Sequence, residues 1–174
     1  MANAAVFPWR LAVIGTWACL PSPAHAYEDQ FTLAVGVGYA HVLDHDATHM
    51  AGVAGDVSGS LGLGEAWAFR VRAGYSGHPG APGASLFSGA GELLYVVDIV
   101  DWVPYVGLGA GVLVGARASD AGAWPSAHVV AGCDYLLSRS FALELDLRAA
   151  FVAPDLPAPT YFTALLSGVF LFDR

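Results

Sequence analysis

The sequence predicts an all-β fold: an eight-stranded antiparallel up-and-down transmembrane β-barrel, preceded by a cleavable N-terminal signal peptide. Three observations predict it. The 174-residue chain is strongly apolar, with 56% hydrophobic residues and a mean hydropathy of +0.54. After Ala26, however, no apolar run reaches the ~20 residues that a membrane helix needs. The apolar residues instead recur at every second position, the period of a strand. Only helices and closed barrels satisfy all backbone polar groups in lipid. An apolar chain without membrane helices therefore points to a barrel.

The export signal is read first. Arg10 precedes a short apolar run, Leu11 to Leu20, and Pro21-Ser22-Pro23 ends any helix there. Ala24 and Ala26 in Ala24-His25-Ala26 supply the small residues that a signal peptidase reads. Cleavage is expected after Ala26, so 1–26 is the signal peptide and 27–174 the barrel. The net charge of −8 becomes −9 once Arg10 is removed. All seven basic residues are arginines. No basic face is available for nucleic acid. Cys133 is the only cysteine of the mature part, so no intramolecular disulfide can form.

The strands follow in order. Phe31, Leu33, Val35, Val37 and Tyr39 alternate with Thr32, Ala34, Gly36, Gly38 and Ala40. Trp67, Phe69, Val71 and Tyr75 oppose Arg70, Arg72, Gly74 and Ser76. Phe141, Leu143, Leu145, Leu147 and Phe151 oppose Glu144, Asp146 and Arg148. In a membrane barrel the apolar set faces lipid and the polar set fills the lumen. Eight such stretches are expected at residues 30–43, 50–63, 66–76, 86–98, 103–116, 126–137, 141–152 and 161–172. The second is the least strand-like, because it is rich in Gly, Ser and Ala. Short turns at Gly64-Glu65, 99–102 and 138–140 alternate with longer connections at 44–49, 77–85, 117–125 and 153–160. Short turns belong to the periplasm and longer loops to the outside. Two aromatic girdles are expected: Phe31, Trp67, Trp102, Phe141, Phe170 and Phe172 on the turn side, and Tyr39, Tyr75, Phe87, Trp124, Phe151 and Phe162 on the loop side.

These strands, the signal peptide and the terminal Val169-Phe170-Leu171-Phe172 resemble the small outer-membrane β-barrel domains of the OmpA, OmpX and OmpW kind. The stretch Asp98-Ile99-Val100-Asp101-Trp102-Val103-Pro104-Tyr105-Val106-Gly107-Leu108-Gly109-Ala110-Gly111 resembles a turn-and-strand segment of the same group. The chain departs from the group's aromatic last residue, since Asp173 and Arg174 follow Phe172. The resemblance implies a bacterial outer-membrane protein with periplasmic termini. It implies assembly by the barrel assembly machinery through the C-terminal strand, contact with outer-membrane lipids, and no cofactor. A monomer is expected.

Four constellations are candidates for chemistry. Asp56, Arg70, Arg72, Glu92, Asp134, Glu144, Asp146 and Arg148 share the inward phase. Eight strands leave a lumen only just wide enough for side chains to fill it, so these charges should pair. His41, Asp44, His45, Asp46 and His49 crowd the first loop with zinc- or copper-type ligands. Ser126, His128 and Glu144 supply the residue types of an acyl-transfer triad. Gly107, Gly109 and Gly111 leave an inward groove opposite Tyr105, read as packing space before a ligand slot. The expected function is non-enzymatic: a structural or surface-interaction barrel. The alternatives are a narrow, porin-like channel for small ions or hydrophobic molecules and, second, a lipid A-modifying hydrolase.

Overall fold

The computed structural model describes residues 30–43, 49–79, 84–97, 99, 101–117, 120–152 and 160–172. Eight strands fill almost all of them: β1 (Phe31–Leu43), β2 (His49–Gly62), β3 (Trp67–His78), β4 (Ala84–Val96), β5 (Trp102–Arg117), β6 (Asp120–Ser138), β7 (Phe141–Val152) and β8 (Thr160–Phe172). Each pairs antiparallel with its chain neighbour, and β1 pairs with β8, so the sheet closes as a barrel. Phe31 lies opposite Phe172 and Leu43 opposite Thr160. Closure leaves no sheet edge for lipid to meet.

The alternation in sequence becomes inside and outside. Outward side chains include Val37, Val53 and Leu108, which are 65%, 70% and 67% exposed. Such exposure of aliphatic side chains suits hydrocarbon. The opposite phase is buried, from Thr32 and Ala34 on β1 to Val169 and Leu171 on β8. On the turn side, cross-strand aromatic pairs form one girdle: Phe31–Phe172, Trp67–Tyr95, Trp102–Tyr135 and Phe141–Phe170, with ring centroids 4.7–6.1 Å apart. Tyr95 and Tyr135 thus join the girdle read from sequence. On the loop side Tyr39, Tyr75, Phe87, Phe151 and Phe162 point outward. Trp124 does not join them. It packs inward on the apolar layer beneath the loop-side mouth.

The small residues of β2 have a structural cause. Gly59 faces outward beneath the Phe31 and Leu33 side chains, whose atoms lie 3.6 Å from the place a Cβ would occupy. Inward, Ser58 and Ser60 are both buried, and the Ser60 hydroxyl accepts a hydrogen bond from Arg70. A bulkier strand would displace the arginine. At the β2–β3 turn, Gly64 has φ +112°, a backbone conformation that costs glycine little and other residues more.

The expected loop at 117–125 is a correction. β5 runs on to Arg117 and β6 starts at Asp120, with Arg117 opposite Asp120. The Gly- and Ala-rich stretch reads as loop by composition, but hairpin pairing gives its backbone groups partners. Gly115 and Gly122 also leave space for the Trp124 ring. With strands this long, the contrast between short and long connections is smaller than the sequence suggested.

A charge on the lipid face tests this placement. Leu147 sits midway between Phe141 and Phe151 on the outer side of β7. Leu147→Arg should lower folding stability in bilayers by about 2–4 kcal/mol, and Leu63→Arg, beside the turn-side girdle, by about 0–1 kcal/mol. Urea unfolding in vesicles checks both. Equal effects would mean that the apolar face does not contact hydrocarbon.

Candidate functional site

The lumen is layered. On the loop side Ala40, Val42, Ala54, Leu86, Leu113, Ala150, Tyr161 and Leu165 form an apolar layer, backed by Met50, Trp124 and Val152. On the turn side two clusters close the other end. One holds Ala68, Leu94, Val96, Val103, Tyr105 and Val130, the other Ala34, Ala142, Val169 and Leu171. Between these apolar ends lie most of the charges, while Asp134 sits at the turn-side end opposite Val103.

All eight inward charged residues named from sequence have buried side chains. Asp56, Arg70, Arg72, Glu92, Asp134, Glu144, Asp146 and Arg148 are each at most 8% exposed. Asp146 on β7 is fully buried and is the hub. Its carboxylate accepts two hydrogen bonds from Arg72, at 3.0 and 3.3 Å, and one from Arg70 at 3.2 Å. It also accepts from Arg148 at 3.5 Å and from the Tyr105 hydroxyl at 2.8 Å. Arg70 reaches on to Glu144 at 3.0 Å, donates to the Tyr105 hydroxyl, and lies 4.6 Å from the centre of that ring. Arg72 and Arg148 both contact Asp56, at 3.2 and 3.3 Å. They also flank Glu92 at 3.4 and 3.5 Å, and His128 Nε2 lies 3.1 Å from the same carboxylate oxygen. Charges from β2, β3, β4 and β7 are thereby tied across the lumen.

Sequence reasoning did not assign His128 and Tyr105 to this network. The inward phase of β5 and β6 was the signal that could have done so. Asp134, on β6, is directly opposite Glu144 in the ladder.

Backbone close approach makes the network possible. A Cβ at Gly109 would strike the His128 ring and lie 2.7 Å from the Gly91 carbonyl oxygen. One at Gly132 would strike the Tyr105 hydroxyl and lie 2.6 Å from the Leu145 carbonyl oxygen. Beside Gly107 stand Leu94 and Val130, and beside Gly111 stands Ala90. The inward surface of β5 is therefore occupied by protein side chains. Below Arg70 a cavity of about 10 Å³ remains, lined in part by Ser60, Tyr105, Asp134 and Glu144. That is room for about one water molecule.

The residues of the acyl-transfer triad are not brought together in this way. His128 is engaged by Glu92 and Glu144 by Arg70, so neither carboxylate nor imidazole is arranged around Ser126. Of the proposed metal ligands, His41 accepts or donates a 2.9 Å hydrogen bond with the Tyr39 hydroxyl on the outer face. Asp44, His45 and Asp46, and the side chain of His49, lie outside the described residues, as do Ala24 and Ala26 of the export signal. Among the described residues no group of three or more His, Cys, Asp or Glu is disposed to hold a metal.

Comparison with solved structures places the fold. The chain is similar to Neisserial surface protein A, with TM-score 0.69 and 14% identity over 83% of this chain and 97% of that one. It is similar to OprG of Pseudomonas aeruginosa, with TM-score 0.62 and 11% identity over 87% and 100%. It is also similar to Ail, the attachment invasion locus protein of Yersinia pestis, with TM-score 0.61 and 10% identity over 83% and 99%. The outer membrane enzyme PagL shares the architecture, with TM-score 0.52 and 15% identity over 79% and 97%. No protein-family model and no curated protein matches the chain. The fold is that of the small eight-stranded outer-membrane β-barrels.

Two substitutions test the network. Asp146→Ala removes the acceptor shared by three arginines and should destabilise the barrel by about 3–5 kcal/mol, the usual effect of breaking a buried ion pair on one side. Gly109→Ala adds one methyl where backbone and imidazole already sit, and should cost about 1–3 kcal/mol. Both are read from urea unfolding in detergent or vesicles. Near-neutral effects would show that the lumen relaxes freely and is not packed.

Proposed function

We propose that the protein is a bacterial outer-membrane barrel with a sealed lumen and no catalytic activity. Its role is structural within the membrane, and its loop-side connections make any outside contacts. The supporting observation is the charge network itself: three arginines and their carboxylates are held between apolar layers at both ends of the lumen. Ions crossing such a lumen would have to break these pairs in a low-dielectric interior, where unpaired charges are costly.

The loop side is taken as the outer side and both termini as periplasmic, because an even strand number returns the chain to its starting side. β8, with Phe162, Leu166, Phe170 and Phe172 on its outer face, is the strand offered to the barrel assembly machinery. The barrel works as a monomer among outer-membrane lipids. Ail has been solved in complex with the heparin analogue sucrose octasulfate. A polyanion is not the partner this chain's charge favours: Asp44, Asp46, Asp120 and Asp155 lie in or beside the loop-side connections, against Arg117 alone.

Planar-bilayer recording of the refolded mature chain separates the sealed barrel from a channel. The account expects no stepwise conductance above bilayer background at neutral pH. Reproducible open events, with cations preferred, would replace it with the channel reading. Incubation with lipid A tests the enzyme reading: the mature chain should release no fatty acid. Release that disappears in Ser126→Ala would make the protein a hydrolase despite the pairing of His128 with Glu92.

A further inference from the structure

The lipid-facing wall is not evenly convex. A groove of about 910 Å³ crosses its outer surface from β3 to β8, with Tyr39 of β1 at its far end. Ala131, Ala149 and Ala164 form its low ground, and Val129, Leu147 and Phe162 rise beside them. The register explains the shape. Ala131 and Ala164 flank Leu147, and Ala149 sits between Val129 and Phe162. The cross-strand row through Ala164 starts at Tyr39, in the loop-side girdle, and ends at Tyr95 and Trp67, in the turn-side girdle.

What meets this groove is fixed by where it lies. It lies between the two aromatic girdles, on the wall that faces hydrocarbon. A chain lying in it touches protein on its flanks as well as beneath. Dispersion attraction grows with the number of such contacts, so a grooved wall holds an acyl chain better than a convex one. The loop-side end carries polar atoms as well. The Tyr39 hydroxyl and His41 Nδ1 are 2.9 Å apart, and the two rings stack with centroids 6.0 Å apart. An amphipathic aromatic at a girdle places its polar tip at headgroup depth. Phenol and imidazole groups can both donate hydrogen bonds to phosphate oxygens.

We propose that this groove is a lipid-binding site: one acyl chain of a phosphate-bearing lipid, from the loop-side leaflet, lies over Ala149 and Ala164 with its phosphate at the Tyr39–His41 pair. The inference rests on the chain lying in a bilayer with the girdles at its two interfaces. It does not depend on whether the lumen conducts.

Native mass spectrometry of the refolded mature chain tests it, with phosphatidylglycerol as the probe lipid and diacylglycerol of the same acyl chains as the headgroup control. One phosphatidylglycerol should stay bound under activation that strips the detergent. Ala149→Phe and Ala164→Phe fill the groove from outside without touching the lumen. Each should reduce the retained lipid about tenfold, equivalent to about 1.4 kcal/mol. Ala110→Phe, on the outer face of β5 beyond the groove, should leave retention unchanged. Tyr39→Phe combined with His41→Ala should lower phosphatidylglycerol retention to that of diacylglycerol. Equal retention by wild type and both filling variants would overturn the groove as the site. Equal retention of the two lipids by wild type would overturn the headgroup contact. Heat-modifiable gel migration of every variant establishes that the barrel has formed, so a failure of the membrane-barrel reading is seen separately from a failure of the lipid site.

Discussion

Asp146 is the residue on which the interior depends. A guanidinium group inside a small barrel has no bulk water to fall back on, so each must find carboxylates. Arg70, Arg72 and Arg148 all find Asp146, and each then reaches a second acid: Glu144, or Asp56 with Glu92. Removing any one charge leaves its partners exposed to the full desolvation penalty. The network need not make the barrel much more stable than an apolar filling would, because burying ions consumes much of what their attraction returns. Its effect is to fix which side chains occupy the lumen and to tie strands together that lie across it. The proposed function rests on that constraint: side chains that hold the wall in place fill the lumen, and the cavity beside Arg70 has room for about one water molecule.

The constraint works because the rest of the lumen is built around it. The glycines on β5 and β6 are empty where the His128 ring and the Tyr105 hydroxyl need room. Serines on β2 are small enough to leave space for Arg70 and polar enough to bond it. Above and below, apolar side chains close the ends, which lowers the local dielectric and strengthens the pairing within. The outer wall is independent of all this. It alternates with the inner face residue by residue, so lipid contact and lumen chemistry can vary separately along the same strand.

The division between legible and illegible follows the range of the interaction. Period-two alternation is local, and it carried the strand number, the two faces and the inward phase of the eight charged residues. Strand ends are decided by hairpin pairing, and there composition misled. Residues 117–125 look like a loop from their Gly and Ala content, yet most of them belong to β5 and β6. Trp124 was placed in the outer girdle on its position near a strand end, but its parity points inward, and Gly115 and Gly122 make space for it. The partner of each charge could not be read at all. Arg70 meets Glu144 across 74 residues of chain and Arg148 meets Asp56 across 92, a choice made by barrel closure and shear, not by local spacing. The apolar layers that seal the charges were equally hidden, because Leu94, Leu113 and Leu165 sit in the inward phase where sequence reasoning expected polar filling.

A shared fold does not settle what such a barrel does, since surface proteins and an enzyme are built on the same eight strands. The interior distinguishes the possibilities, and solvent access to its arginines is the most direct probe. In nanodiscs at neutral pH, the side-chain Nε–H protons of Arg70, Arg72 and Arg148 should be resolved by nitrogen-15 NMR and exchange slowly with water, in contrast to the exposed Arg139 in the β6–β7 turn. Exchange of all three as fast as that of Arg139 would mean that water passes through the lumen, and would contradict the sealed barrel.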